Sequence, residues 1–101
     1  MIPLFTVADV FQIARRGCVL VPGVAEGGPV VRMGDAIRLR TPDGRVIDTE
    51  VRGLEMISYL SVPKAITIPI LLPSSLRKED VPIGTEVFLV SGSARETSQE
   101  R

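Results

Sequence analysis

The sequence predicts an all-β fold, a small six-stranded antiparallel β-barrel, and three observations carry that expectation. No window sustains the i, i+3, i+4, i+7 apolar stripe of a helix. Short segments of alternating or continuous apolar residues recur instead, and Gly or Pro punctuates the gaps between them. Six such segments fit a small closed barrel.

The first strand runs from Leu4 to Ile13, with Phe5, Val7, Phe11 and Ile13 on one side, and Arg15-Arg16-Gly17 turns it into a second from Cys18 to Val24. Ala25-Glu26-Gly27-Gly28-Pro29 is an irregular loop. Met33-Gly34-Asp35 leads into the third strand, Ala36 to Thr41, where Ile37 and Leu39 alternate with Arg38 and Arg40. Thr41-Pro42-Asp43-Gly44 supplies the fixed and positive φ of a tight turn, closing a hairpin onto the fourth strand, Val46 to Ile57. Its pattern separates inside from outside: Ile47, Thr49 and Val51 face one way, Asp48, Glu50 and Arg52 the other. After Gly53 the apolar phase moves to Leu54 and Met56, which predicts a bulge or bend at Gly53 and an outward Glu55. The fifth strand, Ile66 to Leu72, contains Pro69 and belongs at an edge or a bulge. The sixth, Glu86 to Val90, follows the Pro82-Ile83-Gly84-Thr85 turn. Arg77-Lys78-Glu79-Asp80 reads as a solvated loop. Residues 1–91 form one β-barrel domain by this reading, and 92–101 a polar, disordered tail.

Counting residues excludes much chemistry. With 101 residues, no His, one Cys and no Trp, the chain has no His-based triad, no His or multi-Cys metal site and no internal disulfide. It contains no G-x-x-x-x-G-K-[ST] loop, no G-x-G-x-x-G after a strand and no G-x-S-x-G elbow. Asp48 and Glu50 lie in an exposed alternating pattern that suits solvation better than acid–base work. No catalytic residue, metal or cofactor is therefore expected, and Cys18 reads as a small buried hydrophobe. Twelve basic residues balance twelve acidic ones, so any attraction to nucleic acid must be local. No apolar run approaches the roughly 20 residues of a membrane span and no basic leader opens the chain, so a cytoplasmic location without membrane contact is expected.

Asp9-Val10-Phe11-Gln12-Ile13, then Arg16-Gly17-Cys18-Val19-Leu20-Val21-Pro22-Gly23-Val24, then Met33-Gly34-Asp35-Ala36-Ile37 resemble the run that opens the second domain of the translational GTPases, the elongation factor Tu type. Gly53-Leu54-Glu55-Met56-Ile57 is similar to that family's G-V-E-M-F, and Ile83-Gly84-Thr85-Glu86-Val87 falls where its R-G-Q-V-L closes the barrel. The resemblance covers Leu4 to Val90 and implies a six-stranded antiparallel barrel. In members that carry aminoacyl-tRNA, this barrel receives the terminal adenosine of tRNA. That implies ligand-binding roles for Gly23, Glu26 and Gly28, which match the G-R-V-E-R-G segment, and for Glu55, which matches the Glu of G-V-E-M. Val24 and Gly27 stand where the family has Arg, and Pro29 reads as an insertion. Both guanidinium contacts to phosphate are thereby lost.

The expected function is a stand-alone, non-enzymatic binding module with a protein partner and no GTP. One alternative is a tRNA-end or other RNA binder, drawing on Arg15, Arg16, Arg32, Arg38 and Arg40, which outnumber Asp9, Glu26 and Asp35 between Met1 and Thr41. The other is a structural or oligomerising unit, in which the apolar balance would drive formation of a homo-oligomer.

Overall fold

The structure, a computed structural model, describes residues 1–55 and 67–90. The end of the fourth expected strand at Met56 and Ile57, the start of the fifth at Ile66, Ser91 and the tail 92–101 lie outside the described residues. Within them the all-β expectation holds. The strands are β1 (Ile2–Thr6), β2 (Asp9–Ile13), β3 (Gly17–Ala25), β4 (Ala36–Arg40), β5 (Val46–Glu50), β6 (Gly53–Leu54), β7 (Thr67–Leu71) and β8 (Glu86–Leu89). They pair antiparallel in two four-stranded sheets, ordered β1-β8-β4-β5 and β2-β3-β7-β6.

All six expected segments are present, but the first and fourth are each broken into two strands that belong to different sheets. The first break corrects the expected face. Val7 exchanges backbone bonds with the turn before β8, donating to Thr85 O (2.8 Å) and accepting from Gly84 N (2.8 Å), while Ala8 N donates to Val21 O of β3 (2.8 Å). The chain turns there and the alternation slips, so Val10 is buried and Phe11, expected beside Val7, is 52% exposed. In the fourth segment the break precedes Gly53. Val51 N donates to Asp35 O (2.9 Å) and Val51 O accepts from Gly34 N (2.7 Å), and Arg52 N then donates to Leu71 O of β7 (2.8 Å). The expected facing of Ile47, Thr49 and Val51 against Asp48, Glu50 and Arg52 is observed.

The two breaks are equivalent, and with them much of the pairing scheme repeats. Val31-Arg32-Met33-Gly34-Asp35-Ala36-Ile37-Arg38-Leu39 and Val81-Pro82-Ile83-Gly84-Thr85-Glu86-Val87-Phe88-Leu89 share apolar residues at 31/81, 33/83, 37/87 and 39/89 and a glycine at 34/84. Both glycines have positive φ, 89° and 98°, in the left-handed region that favours Gly. Exchanging the two segments turns the pair Ile37↔Leu89 into Leu39↔Val87, and both are present. The same exchange turns Gly53↔Leu71 and Leu54↔Ile70 into Asp9↔Val21 and Val10↔Leu20. The fold has an internal two-fold relation, with Arg38↔Phe88 in one sheet and Leu20↔Ile70 in the other on its axis. One repeat, β3 to β6, is contiguous in the chain. The other is made of β7 and β8 together with β1 and β2.

Between the sheets lies one core. Ile37, Leu39 and Val87 come from the first sheet, Leu20, Ile70 and Val10 from the second, and Val7 and Val51 from the corners. The β4–β5 hairpin closes as expected: Gly44 N donates to Thr41 O (2.9 Å), Arg45 N donates to Thr41 Oγ1 (3.0 Å), and Gly44 has φ 94°. Pro69 lies in β7, an interior strand, so the edge placement fails and the bulge placement holds. Val21, Pro22 and Gly23 of β3 pass between the pairs Leu20↔Ile70 and Val24↔Ile68, where β7 has Pro69 alone. A proline, having no N–H, is accommodated where the ladder is interrupted.

Candidate functional site

The loop after β3 builds the groove nearest the expected site. Gly28 N donates to Ala25 O (3.1 Å) and folds the chain back on itself, and Gly27 has φ 87° with open space where a side chain would be. The resulting groove holds about 200 Å³, with Val24 and Val31 of the loop ends, Leu54 of β6 and Ile68 of β7 among its walls. Glu26 and Gly28 are on its rim. Its volume falls below the roughly 300–1,000 Å³ of small-molecule pockets, and its walls are mainly apolar.

The four expected site residues do not converge. Glu26 and Gly28 share the groove. Gly23 is buried in β3 at φ 103°, and a Cβ there would lie 2.1 Å from Ile68 O and 2.5 Å from Pro69 N. Its glycine is explained by the close approach of two backbones. Glu55 follows Leu54, and neighbours along a strand face opposite ways. It is outside the groove lining, and its Oε2 accepts a hydrogen bond from Arg16 Nη2 at 2.9 Å, leaving the side chain 26% exposed. Glu55 is thus a half-buried partner of Arg16 in the β2–β3 turn.

Three of the five arginines, Arg16, Arg38 and Arg40, are paired with carboxylates, and Arg38 and Arg40 share one face of β4. Arg38 clasps Asp48 through Nε (2.6 Å) and Nη2 (3.1 Å), and Arg40 holds Glu86 at 2.7 Å with its guanidinium 5.1 Å from the Phe88 ring centre. The Arg38 hydrogen bond holds the Asp48 carboxyl below its ordinary range, and that same contact raises Arg38. The Thr41 hydroxyl, and then Arg45, likewise hold Asp43 low. Among the described residues no carboxylate is within ion-pair distance of Arg15 or Arg32. Arg15 occupies the left-handed region at φ 68° in the β2–β3 turn.

Cys18 is buried, with Sγ 3.3 Å from Leu76 O and 3.5 Å from Gln12 Oε1. Burial raises its pKa, and Asp80 and Glu79 add to the effect, so the thiolate is disfavoured. Lys78–Asp80 is a single 3-10 turn on the surface with Arg77 as its N-cap, anchored by Lys78 N donating to Gln12 Oε1 (2.9 Å). Among the described residues no group of three or more His, Cys, Asp or Glu could hold a metal ion, and no helix is long and apolar enough to cross a membrane.

What the sequence reading missed is apolar. Val30 is 70% exposed in the groove wall and Met33 69% exposed in the turn before β4. The signal was available: an irregular loop that keeps Val30, Val31 and Met33 in place of turn polars. The internal two-fold also gives this groove a counterpart between β2 and Lys78–Ile83, where Val10 and Val81 replace Leu54 and Val31. No protein-family model, curated protein or solved structure matches this chain.

Proposed function

We propose that the chain is a non-enzymatic interaction module of the translation-factor second-domain type that docks a protein partner through the groove of the β3–β4 loop. The body it proposes is a closed six-stranded barrel. Support comes from the corners: β1 runs into β2 and β5 into β6, so counting each bent pair as one strand gives six, with each edge of one sheet leading into an edge of the other. The observation that carries the functional reading is the pairing of Arg16, Arg38 and Arg40 with Glu55, Asp48 and Glu86. A phosphate would have to compete with a carboxylate already held by each of these arginines, of which Arg38 and Arg40 share the outer face of β4 and Arg16 is in the β2–β3 turn. The groove offers the opposite chemistry. Its apolar walls suit one or two apolar side chains of a protein, with Glu26 at the rim to favour a neighbouring basic residue.

Titration of labelled tRNA and of single-stranded RNA against the full chain tests this reading. Binding weaker than about 100 μM at physiological salt is expected, the soft end of non-specific association. Near-micromolar binding that falls roughly 1000-fold between 50 and 200 mM salt and is weakened by Glu55→Ala would establish the RNA alternative instead. Calorimetry with GTP should give no heat of binding. A homodimer in sedimentation that Val30→Asp dissolves would make the groove's partner a second copy.

A further inference from the structure

We draw no further inference here: the strongest candidate, the groove of about 550 Å³ between β2 and the Lys78–Ile83 turn that the internal two-fold relates to the β3–β4 loop groove, has an apolar floor at Val10 and Val81 but nothing in the structure shows what covers it.

Discussion

The corner at Val7 and the corner at Val51 do the same job with different amounts of sequence signal. Each valine is 1% exposed and exchanges two backbone bonds with a Gly-led turn, and the residue after it donates to an interior strand of the other sheet. Only the second corner has a glycine two residues on, and only there does the apolar phase change visibly in the sequence. A corner of this kind therefore needs no Gly or Pro of its own. The special backbone is placed in the partner turn, at Gly34 and Gly84, and the corner residue contributes a buried side chain and its peptide groups.

This comparison is broken most severely at the valines. Val7→Ala and Val51→Ala should each cost on the order of 2 to 4 kcal/mol, with the two values within about 1 kcal/mol of each other in denaturant titrations. A large cost at one and none at the other would dissolve the equivalence. At the turns the expected losses are smaller. Gly34→Ala and Gly84→Ala force a side chain to positive φ and should each cost about 1 to 2 kcal/mol. Gly84 should be the worse, because its Cβ would meet Pro42 Cγ at 3.2 Å while nothing lies within 4 Å at Gly34.

The turn residues after these glycines sharpen the comparison by chemistry. Asp35 Oδ2 accepts from Arg32 N (2.8 Å), whereas Thr85 Oγ1 donates to Pro82 O (2.7 Å). Proline has no N–H to offer, so residue 85 must be a donor where residue 35 can be an acceptor. Thr85→Ala should cost about 1 kcal/mol, and Thr85→Asp clearly more, since a buried carboxylate would then face a carbonyl oxygen. Equal melting temperatures for the two variants would count against this account of the turn. Smallest of all, Arg52→Ala beside the second corner should change stability by no more than about 0.5 kcal/mol.

The ion pairs respond to acid with a fixed sign. Asp48 and Asp43 have pKa values lowered by their partners in the folded state, so their contribution is present above the ordinary carboxylate range. It is lost as pH falls through the lowered folded values. Both are exposed, so the acid-dependent loss should be small and should shrink further at high salt. A chemical denaturation series from pH 6 to pH 2 with Asp48→Asn as the control reads this directly.

Most of the strands were legible because burial imposes a two-residue period: Ile37 and Leu39 against Arg38 and Arg40, Ile47 and Thr49 against Asp48 and Glu50. The first corner was hidden because its cause is remote. Nothing in Thr6-Val7-Ala8 signals a turn, and what bends the chain is pairing to Thr85 and Gly84 on one side and Val21 on the other. The internal repeat was present in the text as Val-x-Met-Gly-Asp and Val-x-Ile-Gly-Thr. It was masked by the division of one repeat between the two ends of the chain. Of the four expected site residues, Glu26 and Gly28 line the groove. Gly23 matched a motif for a packing reason, and the partner of Glu55, Arg16, is distant in sequence.

Amide hydrogen exchange at Val7, Ala8, Val51 and Arg52 tests most directly whether both corners lock the two sheets into one body. Ala8 and Arg52 donate to carbonyls of the interior strands β3 and β7, and Val7 and Val51 to carbonyls of the turns that lead into β8 and β4, so opening these amides frees a corner from one sheet or the other. The expected result is protection at all four amides close to that of Leu20 and Leu39 in the core. Fast exchange at Val7 and Ala8, with Val51 and Arg52 protected, would mean that one corner is a loose crossing and would contradict both the two-fold relation and the closed barrel proposed from it.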